Sequence, residues 1–109
     1  VLFWAAVKES FPEAWGLPPE RSRLTHSAGV ESMGALMDYL MPRAVQQDDP
    51  KSYLIEILQR IAPSCAWTNG TWPDLNCAWN EIESTTKDIR RLTDQLIRLV
   101  PSANLRQVA

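Results

Sequence analysis

The segment "DPKSYLIEILQRIAP", residues 49–63, decides the fold class of this chain. Asp49 is a good N-cap, and Pro50 suits the first helical position, where the N–H group that it lacks would have no helical partner. The apolar side chains that follow fall on one stripe: Tyr53, Leu54, Ile57, Leu58 and Ile61. This spacing predicts an amphipathic α-helix that ends at Pro63.

A second strongly punctuated segment occupies residues 85–101. Thr85 and Asp88 stand three positions apart just before an apolar run, which is the spacing of a capping box. The apolar residues of the run share one helical face: Ile89, Leu92, Leu96, Leu99 and Val100. The pattern predicts a helix that begins at this box and ends at Pro101.

Two more helices are predicted in the first part of the chain. Residues 2–11 place apolar side chains four positions apart, and Pro12 ends that helix because its ring disfavours helical geometry at the preceding residue. A proline-rich loop follows to about residue 24. The next helix begins near Thr25 or Ser27, either of which can act as its cap, and ends before Pro42.

Small and flexible side chains mark this helix of residues 25–41. Gly29 and Gly34 each weaken it by about 1 kcal/mol relative to alanine, and we attribute them to a close helix crossing. Its methionines, Met33, Met37 and Met41, have the spacing of an adaptable binding stripe. The same spacing also fits buried core or a dimer seam, and we favour these two interpretations.

Four helices without an alternating strand predict an all-α fold. We expect a compact bundle of about four helices, with a Trp-rich loop or short hairpin between the third and the last. The 109 residues accommodate one helical domain, spanning residues 1–109. The chain starts on Val1, inside a predicted helix, and we therefore expect a C-terminal fragment of a longer protein.

The segment "CAWTNGTWPDLNCAW", residues 65–79, concentrates two cysteines and three tryptophans. Indole rings are too large to be left in water without a structural cost. We therefore expect Trp67, Trp72 and Trp79 to be largely buried as a structural cluster that seals one end of the helix stack.

Two local structures compete inside this segment. Asn69–Gly70 favours a type I′ hairpin turn that pairs Thr68 with Thr71 and sets the flanking tryptophans on one face. Alternatively, Thr71 and Asp74 cap a short helical turn that carries Pro73 near its start. We favour the tight turn at Asn69–Gly70.

The cysteines and the single histidine are the natural candidates for chemistry. Structural zinc needs four ligands, usually with cysteines in close pairs, but Cys65 and Cys77 are twelve positions apart and His26 is the only histidine. A Cys–His nucleophile also needs an orienting third group. We therefore expect free, buried thiols, and we assign no catalytic, metal-binding or cofactor-binding residue.

Charge divides the chain into an acidic and a basic part. The net charge is −2, but residues 1–83 carry 6 basic and 11 acidic side chains, whereas residues 84–109 carry 5 and 2. Acidity over most of the chain argues against a dedicated nucleic-acid binder. The candidates for contact with DNA or a partner are on the last helix: Lys87, Arg90, Arg91 and Arg98. Asp94 lies among them, which favours a solvated face that pairs its own charges.

The hydropathy pattern bears on the compartment. The apolar fraction of 45% is ordinary for a globular protein, and no apolar run approaches the roughly 20 residues of a membrane span. The N-terminal segment has no basic stretch ahead of its apolar start, so it does not resemble a signal peptide. We expect a cytoplasmic protein without a membrane partner.

Two segments carry a family resemblance: "FPEAWGLPPERSRLTHSAGVESMGALMDYL" and "CAWTNGTWPDLNCAWNEIESTTKDIRRLTDQLIRLV". They resemble the C-terminal region of bacterial DGQHR-domain proteins, which include the DndB-like proteins encoded with DNA phosphorothioation systems. The strongest similarity lies at residues 22–29 and 65–82. The DGQHR signature is absent here, and the resemblance assigns no catalytic role to the matching positions.

The resemblance implies an association with DNA modification or mobile elements in bacteria. Our first hypothesis is a non-catalytic helical interaction module that packs against the rest of its parent chain or against a second copy. The alternative is a DNA-contacting module of a regulator that uses the basic side of the last helix. Because residues 1–83 are net acidic, we expect DNA binding to be weak or absent, and we expect an exposed apolar docking surface.

Overall fold

A computed structural model describes residues 2–72 and 74–108, with side chains described as far as Val100. Within these residues the chain forms five α-helices: α1 (Leu2–Ser10), α2 (Pro12–Trp15), α3 (Ser27–Ala44), α4 (Pro50–Ile61) and α5 (Thr86–Val108). Strands β1 (Thr71–Trp72) and β2 (Cys77–Ala78) form one antiparallel ribbon. Two 3₁₀ turns complete the elements, at Ala62–Ser64 and Trp79–Glu81. The predicted, mostly helical fold is confirmed.

The helices pack in two pairs around one core. α1 lies along α4, α3 lies along α5, and α4 joins the pairs by contacting both α3 and α5. The side chains between them are fully buried: Phe3, Met33, Leu36, Leu40, Leu54, Ile57, Leu58, Leu92 and Leu96. None of the helices in the described part of the chain has the length and hydropathy needed to cross a bilayer.

The prediction that α4 begins at Asp49 is confirmed. The Asp49 carboxylate accepts hydrogen bonds from the amide of Ser52 (3.2 Å) and from its hydroxyl (2.7 Å). These bonds to the ionised form lower the pKa of Asp49. Cap, proline and apolar stripe are all local, so the sequence alone was sufficient for this helix.

The other predicted caps differ from the structure in their details. α3 begins at Ser27, but its cap is His26, whose Nδ1 accepts from the amide of Ala28 (3.2 Å). The hydroxyl of Thr85 accepts from the amide of Asp88 (3.1 Å), as in a capping box. The carboxylate of Asp88 instead accepts from the amide of Glu83 (2.9 Å), so the reciprocal bond of the box reaches further back along the chain.

Prolines end fewer helices than the sequence predicted. Pro12 is followed by α2, in the segment that we predicted as loop, because proline is well suited to the first helical position. Pro42 lies inside α3, since the amide of Val45 still donates to the carbonyl of Met41 (3.0 Å) beyond it. α5 likewise continues past Pro101. A proline removes one backbone hydrogen bond, and the flanking turns keep their own.

The predicted hairpin turn at Asn69–Gly70 is wrong. The ribbon pairs Thr71 with Ala78 and Trp72 with Cys77, so its turn comes after Trp72 and includes Asn76, at φ 50°. Gly70 has φ 80°, but its carbonyl accepts from the amide of Trp79 (3.0 Å) and so extends the ribbon. Pro73, which the alternative helical turn would carry, lies outside the described residues.

Candidate interaction surfaces

The structure brings together the two segments that carry the family resemblance. Residues 22–29 lead into α3, and residues 65–82 include the ribbon and the second 3₁₀ turn. The amide of Arg23 donates to the carbonyl of Trp67 (2.8 Å), which joins the two segments through their backbones. We call this contact region the junction.

The guanidinium of Arg23 makes the longest connections within the junction. Its Nε donates to the carbonyl of Ile82 (2.8 Å), and one terminal nitrogen donates to the carbonyl of Asn80 (2.7 Å). The other terminal nitrogen reaches the carbonyl of Pro19 at 3.3 Å. Because carbonyls accept these bonds, the guanidinium is directed to the fold itself rather than to a ligand.

Gly29 allows the first turn of α3 to touch the junction. A Cβ atom at Gly29 would lie 1.8 Å from the carbonyl oxygen of Arg23 and 2.9 Å from the Cα of Leu24. These are backbone atoms, which cannot move aside as a flexible side chain would. The expected close approach therefore exists, although its partner is the loop before α3 and not another helix.

The three tryptophans of the junction have different surroundings. Trp67 and Trp72 are 4% and 0% exposed, and their rings are nearly perpendicular at 5.1 Å between centroids. Phe11 adds a second edge-to-face contact to Trp67 at 6.2 Å. Trp79 is only half-buried, contrary to the prediction, because it starts the 3₁₀ turn at the rim and the guanidinium of Arg23 lies 5.7 Å from its ring.

The cysteines are free thiols with weak nucleophilic character. The Cys65 thiol donates to the carbonyl of Ile61 (3.4 Å), and burial raises its pKa to about 12. Burial and the nearby Glu81 carboxylate raise the pKa of Cys77 as well. Both thiols therefore stay protonated near neutral pH, whereas nucleophilic attack requires the thiolate.

His26 uses its Nδ1 to cap α3, so this nitrogen is engaged as an acceptor. In the part of the chain that the structure describes, no group of three His, Cys, Asp or Glu residues is placed to hold a metal ion.

The four basic candidates on α5 are not equivalent. Arg91 is half-buried, donates to the carbonyl of Leu75 (2.7 Å) and lies 3.7 Å from the carboxylate of Asp88. Its acidic partner is thus Asp88 rather than the Asp94 that we predicted. Arg98 donates to the side-chain oxygen of Gln95 (3.0 Å), a residue buried in the core.

Lys87 and Arg90 are the two candidates that remain exposed without a side-chain bond among the described residues. They lie in the first two turns of α5. The four cations thus do not form the uniform basic face that the sequence pattern indicated.

An apolar groove of about 370 Å³ opens between the N-terminal helices and the start of α3. Its lining is mostly hydrophobic: Trp4, Trp15, Leu24, Thr25 and Val30. The rings of Trp4 and Trp15 are 6.4 Å apart and both are half-buried, while Val30 is 44% exposed. We call this feature the tryptophan groove.

Sequence reasoning did not assign a role to Arg23, Trp4 or Trp15. For Trp4 a signal was present, because it lies beside the buried stripe of α1 rather than on it, and a large ring at such a position remains accessible. Arg23 gave no comparable signal, since two of its three acceptors lie 57 and 59 positions away.

No family model, no curated protein and no solved structure matches this chain. The resemblance to DGQHR-domain proteins therefore stays a prediction.

Proposed function

We propose that this chain is a non-catalytic helical interaction module that docks a protein surface in the tryptophan groove. The observation that carries the proposal is the groove's lining, with two half-buried indole rings and Val30 open to solvent. Exposed apolar clefts with aromatic walls are typical of sites that bury a partner side chain. The expected partner is the rest of the parent chain or a second copy.

The chemistry of the polar groups supports a binding role over a catalytic one. The pKa of Cys65 is raised to about 12, and His26 caps a helix with one of its ring nitrogens. Arg23 donates to backbone carbonyls. These groups are engaged in holding the fold, and a catalytic group needs its reactive atom free for a substrate.

The biological setting is part of the same proposal. The residues that carry the resemblance to DndB-like proteins, at 22–29 and 65–82, are the ones that hold the junction together. We propose on this basis that the module belongs to a bacterial protein associated with DNA modification or mobile elements.

The alternative is a DNA-contacting module, and it rests on the exposure of Lys87 and Arg90. Arg91 and Arg98 already bond to acceptors within the chain, so they would have to exchange these bonds for phosphates. Two free cations give a shallow salt dependence, since each phosphate contact adds roughly 0.9 to the slope of log affinity against log salt. The acidic side chains of residues 1–83 oppose DNA approach further.

Sedimentation equilibrium of the chain over a range of concentrations, together with titration against the remaining region of its parent protein, tests the proposal. We expect association in at least one of these experiments and its loss in Val30→Asp, which places a charge in the groove. Val45→Asp is the matched control, because Val45 is 64% exposed and lies outside the groove lining.

Absence of association in both experiments would contradict the proposal. A low-salt titration with duplex DNA then decides for the alternative if affinity is sub-micromolar and is lost in the Lys87→Gln, Arg90→Gln double variant.

A further inference from the structure

The outer face of α3 carries an apolar stripe that the core covers only in part, since Met37 and Met41 pack against the core while Val30 and Val45 are exposed. Its members recur at each turn of the helix: Val30, Gly34, Met37, Met41 and Val45. Val30 and Val45, at 44% and 64%, are the large hydrophobic residues most exposed among the described side chains. Met37 and Met41 are half-buried, whereas Met33 belongs to the core. The stripe is about 22 Å long at the rise of an α-helix.

Gly34 makes a notch at the middle of this stripe. A Cβ atom at Gly34 would meet nothing within 4 Å, so none of the described residues fills the space above it. Small residues on a helix face allow a second helix backbone to approach closely. The close crossing expected from the glycine pattern is therefore available at Gly34 to another molecule, because this chain leaves the position open.

Charges on the outer face of α3 all have one sign. Glu31 and Asp38 are both exposed, and their separation of seven residues places them on the same flank of the stripe. Pro42 has no N–H group and therefore makes no helical hydrogen bond to the carbonyl of Asp38. A cationic side chain is the complementary group for such a flank.

A second copy of this chain is a poor match for the flank. Arg43 is the one basic residue of α3, and its guanidinium lies 5.0 Å from the ring of Tyr39. In a symmetric antiparallel crossing at Gly34 the two acidic flanks would also face each other, which like-charge repulsion disfavours. The complementary partner is a helix with an apolar face and lysine or arginine beside it.

We propose that the outer face of α3 binds a basic amphipathic helix of a partner protein. The helix covers the stripe, approaches closest at Gly34, and directs its cations to Glu31 and Asp38. This inference rests on the proposed interaction function and adds a second surface together with the chemical class of its partner. Helix-in-groove recognition of this kind depends on anchors spaced by three and four residues, which the stripe supplies.

A designed peptide tests the inference without knowledge of the natural partner. The probe is a synthetic helix of about 18 residues, long enough to span the stripe, with leucine and alanine on one face and lysine on both flanks. The matched control peptide has glutamate in place of every lysine. We expect the lysine peptide to bind with a dissociation constant below about 100 µM by fluorescence anisotropy, and the glutamate peptide to bind at least about tenfold more weakly.

Two variants locate the binding on α3. Gly34→Leu fills the notch; we expect it to fold because a Cβ atom at this position meets nothing within 4 Å, and we expect it to weaken the lysine peptide by more than about tenfold. Glu31→Gln with Asp38→Asn should weaken it by about three- to tenfold, the range for two exposed charge pairs. Glu83→Gln with Asp94→Asn removes two exposed carboxylates elsewhere and should leave the affinity unchanged.

The outcomes separate this inference from the proposed function. Equal binding of the two peptides, or equal affinity of the Glu31/Asp38 variant, overturns the inference and leaves docking in the tryptophan groove intact. Absence of binding by the lysine peptide also overturns it. Because Val30 belongs to both surfaces and Val45 only to the stripe, loss of association in Val30→Asp together with its retention in Val45→Asp decides for the tryptophan groove separately.

Discussion

The inner and outer faces of α3 use the same residue type for opposite purposes. On the inner face Gly29 lies so close to the backbone of Arg23 and Leu24 that no side chain fits. Five residues later Gly34 lies on the outer face with open space above it. A glycine in a helix lowers stability relative to alanine, and its missing side chain leaves room for another backbone to approach. At Gly29 that contact is inside the chain, and at Gly34 it is left to a partner.

The largest effect is expected from Gly29→Ala. The new Cβ would overlap the carbonyl of Arg23, and two backbone segments would have to separate. We expect the free energy of unfolding to fall by about 3 kcal/mol or more, measured by urea denaturation followed by circular dichroism. A free energy of unfolding equal to that of the unsubstituted chain would show that Gly29 is not in close contact with the backbone of Arg23 and Leu24.

Arg23→Met removes the guanidinium while keeping most of the side-chain length. The carbonyls of Asn80 and Ile82 then lose their charged donor, and we expect a loss of about 2–3 kcal/mol in the same assay. Arg21→Met is the control, since Arg21 is exposed, and its effect should stay within about 0.5 kcal/mol. If the two substitutions lowered stability equally, the hydrogen bonds of Arg23 would not be what holds the two segments of the junction together.

The folded chain should also lose stability at alkaline pH, because of the Cys65 thiol. Because the pKa of Cys65 is raised from 9.0 to about 12, the folded chain keeps a proton that the unfolded chain releases above pH 9. Stability is therefore full below pH 9 and falls as the pH rises through the interval to 12, by about 1 kcal/mol at pH 10. Cys65→Ala should remove this part of the alkaline decline, and an unchanged decline would refute the assignment.

Gly34→Ala should have the smallest effect and the opposite sign. No atom obstructs the added methyl group, so the better helix propensity of alanine should raise the melting temperature, corresponding to about 0.5–1 kcal/mol. Thermal unfolding of Gly34→Ala, Gly29→Ala and the unsubstituted chain should show a raised melting temperature for the first and a lowered one for the second. A destabilised Gly34→Ala chain would mean that the outer face is packed in solution.

The sequence predicted what depends on neighbouring residues. The cap, proline and stripe of α4 lie within 15 positions, and the structure has them as predicted. Apolar periodicity also placed α3 and α5, although it ended both at a proline that the helix accommodates. Apolar periodicity and a proline do not determine where a helix ends, because the residues after the proline can still form their own backbone hydrogen bonds.

Features that depend on distant residues were predicted less well. The hairpin turn was assigned to Asn69–Gly70, but the pairing of Gly70 with Trp79 moves it further along the chain. The cations of α5 looked equivalent until Leu75 and Gln95 proved to be acceptors for two of them. In both cases the outcome depended on a hydrogen bond to a residue that is distant in the chain or buried in the core. The local sequence does not show such a bond.

The hydrogen bonds of Arg23 also set the order of events during synthesis. Two of its three acceptors follow it by 57 and 59 positions, so these two bonds can form only after that length of chain has been synthesised beyond Arg23. Contacts between such distant positions carry a high loop-closure cost and form late. We expect α4 to form early from its local cap, while a nascent chain stalled before Asn80 remains sensitive to proteases around the unsecured Arg23.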